Sequence, residues 1–99
     1  MPASPRTFPR TLVRDLLGLV RLLYRAEQDV DMPESYGRLG RLEEAGRALR
    51  EALELAKRKP VPASAWGWAK KGARIVAEVV QGQPELENLV RLSAGAFRR

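Results

Sequence analysis

The stretch "TLVRDLLGLVRLLYRAEQ", residues 11–28, decides the class of fold. Its apolar side chains recur every three or four residues, which is the spacing of one face of a helix. They are Leu12, Val13, Leu16, Leu17, Leu19, Val20, Leu23 and Tyr24. So broad an apolar arc predicts a core helix over residues 11–28. Arg21 interrupts the run, which is shorter than the roughly 18 apolar residues that a membrane-spanning helix needs.

The next segment predicts a second helix, from residue 32 or 33 to residue 59. Pro33 suits a first helical turn, and Asp31 and Glu34 have the spacing of a capping box. Pro60 stops the helix, because it lacks an amide and its ring clashes with the preceding turn. One side of this helix is apolar, and the other carries Glu43, Glu44, Arg47, Arg50, Glu51, Glu54 and Arg58. Pairs such as Glu43 and Arg47 indicate a solvated, ion-paired surface.

Two further helices follow the proline-rich turn. After Pro62, Ser64 is a good N-cap for a third helix that runs to about residue 81. Gly82 supplies its C-terminal stop, and Pro84 opens a fourth helix. No strand pattern competes with these segments.

These segments predict an all-α fold: a single-domain bundle of about four amphipathic helices over residues 11–99, with short turns marked by proline or glycine. At 99 residues the chain fits one modest core. Residues 1–10 are basic and proline-rich, and we expect them to form a flexible arm. The structural alternative is a three-helix core whose fourth helix is loosely docked or is completed by another chain.

Missing residue types limit the chemistry. The chain has no cysteine and no histidine, so it has no disulfide, no thiolate ligand and no imidazole base. We therefore expect a protein that is not an enzyme, has no cofactor and no metal, and implies no small-molecule substrate. The acidic turn around Asp29, Asp31 and Glu34 is interpreted as helix capping, because Pro33 stands where a further metal ligand would belong.

Positive charge is the strongest indication of a partner. The net charge is +6, and arginine supplies 14 of the 18 basic residues. Arg14, Arg21 and Arg25 share one stripe of the first helix without a carboxylate, so they could follow a phosphate backbone. A second basic strip on the third helix comprises Lys70, Lys71 and Arg74. Alternatively, the stripe on the first helix and the strip on the third helix are ordinary solvated helix faces.

Two tryptophans lie just before that second strip. Trp66 and Trp68 diverge by about 200° around a helix, so only one can point into the core. Trp68 is in line with Gly72 and Val76 in the densest apolar stripe, which predicts that Trp68 is core and Trp66 lies at the edge. There Trp66 could stack on a base, contact a protein partner or cover the proline turn.

Glycines in the second helix indicate a close approach or a break. Gly37 and Gly40 each cost about 1 kcal/mol relative to alanine, so we expect them to meet a partner or to break the helix near Gly40. The segment "YGRLGRLEEAGRALREALELA", residues 36–56, resembles the latter half of a tetratricopeptide repeat. The matching positions are Tyr36, Gly40, Leu42, Ala45, Leu49 and Ala52. The resemblance is confined to this segment and implies a helical hairpin that binds proteins.

Two functions remain open. The first is a small non-catalytic protein that binds nucleic acid through its basic helix faces, and the sequence slightly favours it. The second is a protein-interaction subunit or adaptor, with Trp66, Gly37 and Gly40 at the contact, and a homo-oligomer belongs to the same class. We expect a cytoplasmic location, or an organellar one if the acid-poor N-terminus is a transit segment.

Overall fold

Four helices make up most of the chain in a computed structural model that describes residues 7–30 and 32–95. They are α1 (Arg10–Gln28), α2 (Pro33–Leu55), α3 (Ala63–Val79) and α4 (Pro84–Gly95). Over those residues there is no strand, and the all-α prediction is confirmed. None of the four helices combines the length and the apolar character needed to cross a bilayer.

Proline and glycine place the helix ends. Pro33 is the first residue of α2, and the extended backbone of Met32 precedes it. Asp31, half of the predicted capping box, lies outside the described residues. Pro62, also extended, directly precedes α3. The prediction that Ser64 caps this helix is therefore wrong, because the helix already begins at Ala63, with Pro62 at the N-cap position two residues before Ser64. Gly82 has φ +88° in the turn before α4, a conformation that suits glycine.

The second helix is continuous. α2 passes through Gly37 and Gly40 without interruption, so of the two alternatives for these glycines the break near Gly40 does not occur. The helix ends at Leu55, four residues before the predicted end at residue 59. The helical hairpin that the repeat resemblance implies is replaced by one continuous helix. A Cβ atom added at Gly37 or Gly40 would meet nothing within 4 Å. Within residues 7–30 and 32–95, neither glycine therefore serves a close approach of two helices.

The core forms where α2 packs against α1 and α3, and where α3 packs against α4. It consists largely of small and branched side chains, among them Val13, Leu16, Leu42, Ala45, Leu49, Ala52, Ala69, Ala73, Val76 and Val90. The close approach of helices occurs at Gly72 of α3. A Cβ atom there would lie 2.6 Å from Leu49 Cγ on α2, so only glycine allows this spacing.

The N-terminal arm is shorter than predicted. Phe8 is buried in the core with 4% of its surface exposed, and Arg10 already begins α1. The Arg10 guanidinium donates a hydrogen bond to the carbonyl of Ala56, just past the C-terminal end of α2, where a cation is favourable. The folded domain thus includes Phe8, because an aromatic ring near the bundle gains by burial. Residues 1–6 lie outside the described part.

Candidate nucleic-acid interface

A groove of about 530 Å³ runs between α1 and α2. Four arginines line it, Arg21 and Arg25 from α1 and Arg47 and Arg50 from α2. Its remaining lining residues are Leu17, Val20, Tyr24, Gln28, Leu42, Glu43 and Gly46. We call this site the arginine groove. It combines an apolar floor with cationic walls contributed by two helices.

The register of the two helices brings these arginines together. Tyr24 Oη donates a hydrogen bond to Glu43 Oε1 over 2.9 Å, which aligns one turn of α1 with one turn of α2. Arg21 and Arg25 flank Tyr24 on α1, and Arg47 lies one turn beyond Glu43 on α2. At the floor of the groove a Cβ atom added to Gly46 would contact Val20 Cγ1 at 3.7 Å, so α1 and α2 lie close together there. The groove therefore depends on antiparallel packing.

Most of the positive charge in the groove is not neutralised. Arg47 Nη2 lies 3.9 Å from Glu43 Oε2, a loose pair between exposed side chains. Within the described part of the chain, Arg21, Arg25 and Arg50 form no ion pair at 4.0 Å or closer. Four arginines face one glutamate, which leaves an excess of three positive charges. Such a field attracts an anion, and guanidinium groups match phosphate oxygens.

Tyr24 keeps its proton in this setting. Its hydrogen bond to Glu43, followed by partial desolvation and the nearby negative charge, raises the pKa of Tyr24 above its ordinary value of 10.0. The phenol is thus a neutral donor that holds Glu43 against α1. Among the described residues that line the arginine groove, Glu43 is the only carboxylate, and this contact occupies one of its oxygens.

Two of the four groove arginines, Arg21 and Arg25, were predicted from the sequence as anion-binding residues. Arg14 shares the stripe of Arg21 and Arg25, yet it lies near the start of α1 and does not line the groove. Arg47 and Arg50 were predicted to lie on an ion-paired surface of the second helix, but both line the groove, and only Arg47 has an ion-pair partner among the described residues. The available signal was their i, i+3 spacing on the side of the second helix that also carries Leu42 and Gly46.

A second groove lies between α2 and α3, and we call it the tryptophan groove. Trp68 and Lys71 line it from α3, and from α2 it is lined by Glu44, Arg47, Ala48 and Glu51. Lys71 Nζ lies 5.3 Å from the centre of the Trp68 ring and 3.7 Å from Glu44 Oε1. Lys70 and Arg74 are exposed on α3 but do not line this groove. The structure therefore divides the predicted Lys70, Lys71 and Arg74 strip.

The two tryptophans have the opposite roles to those predicted. Trp66 is buried with 6% of its surface exposed, and Trp68 is exposed at 38%. The reason is that α3 turns a broad face inward, comprising Ala65, Trp66, Ala69, Gly72, Ala73 and Val76, and Phe8 covers Trp66 from the N-terminus. Trp66 is thus a core residue in this chain, whereas Gly37 and Gly40 are exposed.

No described group of three or more carboxylates is arranged to hold a metal ion. Comparisons with known proteins add no assignment: no protein-family model, no curated protein and no solved structure matches the chain.

Proposed function

We propose that this chain is a small non-catalytic protein that binds nucleic acid by its phosphates in the arginine groove. One observation carries the proposal: Arg21, Arg25, Arg47 and Arg50 converge on one groove from two helices, with a single carboxylate among them. Uncompensated arginines on an exposed surface are the usual means of binding a phosphate backbone.

The shape of the groove favours a linear polyanion. Arg21 and Arg25 are four residues apart on α1, which separates their Cα atoms by about 6 Å along the helix. Each guanidinium can therefore meet a different phosphate of one strand. Arg47 and Arg50 are three residues apart on the opposite wall, about 4.5 Å along α2. Because fixed guanidinium forks bind phosphate oxygens in pairs, four of them can fix the path of a backbone without reading its sequence.

The first test is a titration of fluorescent duplex and single-stranded oligonucleotides at low and at physiological salt. A variant with Arg21, Arg25, Arg47 and Arg50 changed to Gln is compared with one in which Arg14, Lys57, Arg58 and Lys59 are changed to Gln. Both variants lose the same charge. We expect wild-type binding to weaken steeply with salt, the groove variant to lose it, and the matched variant to retain most of it.

Two results would contradict the proposal. Equal losses in the two variants would mean that net charge, not the groove, attracts the nucleic acid. Absence of binding at low salt would end the nucleic-acid hypothesis altogether. A third variant, with Lys70, Lys71 and Arg74 changed to Gln, examines the strip on α3, and a loss confined to that variant would move the phosphate site to α3.

Protein interaction is the second candidate, favoured by an exposed patch at the start of α2. Tyr36 is 68% exposed, and next to it Gly37 and Gly40 leave open space in which a partner helix could approach closely. Such binding would tolerate salt and survive the loss of the groove arginines. It would be weakened by Tyr36→Ala, which removes no core contact. Trp66→Ala cannot test it, because Trp66 is buried.

A further inference from the structure

The tryptophan groove differs from the arginine groove in charge. Two cations, Arg47 and Lys71, face two carboxylates, Glu44 and Glu51, so the lining is balanced. A phosphate gains little in such a groove, because the carboxylates repel it. An uncharged base can bind there, since the carboxylates accept hydrogen bonds from N–H groups on its edge, such as N3–H of thymine, and the exposed indole of Trp68 offers a flat apolar surface.

The two grooves are neighbours on one exposed side of α2. Arg47 lines both of them, and its side chain is 76% exposed. The arginine groove and Trp68 lie on the two sides of α2. Because a helix with its side chains is about 10 Å across, they are about that far apart. One short segment of a nucleic acid can therefore contact both grooves at the same time.

From this division of charge we infer that the chain binds single-stranded nucleic acid across α2, with phosphates in the arginine groove and an unpaired base stacked on Trp68. The inference rests on the proposed function and names its substrate class. In a duplex the faces of the bases are covered by their neighbours, so only a single strand can offer one to Trp68. Lys71, which now lies over the ring, is an exposed cation that an incoming base can displace.

Binding affinity gives the first test. Trp68→Ala should weaken binding of a single-stranded oligothymidine about 5- to 150-fold, the range that loss of one stacked base produces. Trp68→Phe keeps an aromatic face and should restore most of that loss. Duplex binding should be unchanged in both variants. A single strand of the same length made of abasic sites keeps the phosphates, and Trp68→Ala should not alter its affinity.

Fluorescence gives an independent reading. Trp66→Phe leaves Trp68 as the only tryptophan, and circular dichroism checks that this variant is folded. Oligothymidine should quench the emission of Trp68, whereas the abasic strand and the duplex should not. The abasic strand separates stacking on the indole from a general effect of charge.

The outcomes distinguish this inference from the proposed function. If Trp68→Ala leaves single-strand affinity unchanged while the groove arginines remain necessary, the stacking site is wrong and the phosphate groove stands. If duplex and single strand lose affinity equally in Trp68→Ala, base stacking is also wrong. If no nucleic acid binds at low salt, both proposals fail together.

Discussion

The ring of Phe8 meets the indole of Trp66 edge to face, with centroids 5.3 Å apart and planes at 85°. This contact joins the segment before α1 to the start of α3, two parts of the chain that lie far apart in sequence. Edge-to-face pairs are stabilising beyond their buried area. The N-terminal segment thus completes the core, and Trp66 is unavailable to a partner.

Phe8→Ala should destabilise the protein by about 3 kcal/mol, because it removes a buried aromatic side chain and leaves a cavity beside Trp66. Urea unfolding monitored by circular dichroism measures the change. The emission of Trp66 should also shift to longer wavelength as water reaches the indole. Thr7→Ala, at the exposed neighbouring position, serves as the control. An unchanged unfolding midpoint in Phe8→Ala would show that this segment is not part of the core.

Two glycine substitutions should change the stability of the fold in opposite directions. Gly72→Ala places a methyl group 2.6 Å from Leu49 Cγ and 3.3 Å from the Ala45 carbonyl oxygen. Overpacking of this kind costs about 1–3 kcal/mol, which outweighs the helix propensity gained. Gly40→Ala meets nothing within 4 Å and should gain up to about 1 kcal/mol. Thermal unfolding of the pair measures both, and a stabilised Gly72→Ala would contradict the close packing of α2 and α3.

The helices and their turns could be predicted from the sequence because their signals are local. Pro33 and Pro84 each begin a helix, whatever the rest of the chain does, whereas α2 ends at Leu55, before Pro60 can act on it. The helical spacing of the apolar residues in 11–28 likewise predicts a helix from local sequence, because it requires only that one side of that helix be buried. Hence the number of helices and the order of the turns follow directly from the sequence.

The direction of the tryptophans could not be predicted, because it depends on distant partners. A helical wheel shows that Trp66 and Trp68 point apart but does not show which stripe faces inward when α3 has several neighbours. Phe8 supplies the contact that favours Trp66 inside. No periodicity within α3 contains that information.

For a similar reason, only the arginines that α1 contributes to the arginine groove could be predicted from the sequence. The stripe of Arg21 and Arg25 is a property of α1 alone, whereas the inclusion of Arg47 and Arg50 depends on the register of α1 against α2. That register is set by tertiary contacts such as Tyr24 with Glu43. In the sequence, Arg47 simply follows Glu43 by four residues, which is also the spacing of an ordinary surface pair.

Because of Glu27, the free energy of unfolding should change with pH in the acid range. Arg38 Nε donates a hydrogen bond to Glu27 Oε1, and this contact is the main cause that lowers the pKa of Glu27 below its ordinary value of 4.5. A carboxyl whose pKa is lower in the folded state stabilises the fold above its unfolded pKa, and that contribution is lost as pH falls through the folded value. Glu27→Gln should therefore cost stability at neutral pH and progressively less below about pH 4.5.

Urea unfolding of wild type and Glu27→Gln between about pH 7 and pH 3 measures this difference. Glu51→Gln is the control, since Glu51 is exposed and forms no ion pair with any residue in the described ranges. The difference in the free energy of unfolding between Glu51→Gln and wild type should vary little with pH. A difference for Glu27→Gln that stays constant over the whole range would show that the Arg38 contact does not depend on the charge of Glu27.

Arg25→Gln and Arg14→Gln remove the same charge from the same stripe of α1, but only Arg25 lines the arginine groove. If each groove arginine neutralises one phosphate, Arg25→Gln should lower the slope of log K against log salt by about 0.7 for a single strand. Arg14→Gln should change that slope much less. Titrations of one fluorescent oligonucleotide at four or more salt concentrations determine both slopes. Equal changes would mean that phosphates follow the whole stripe, so the interface would extend along α1 beyond the groove.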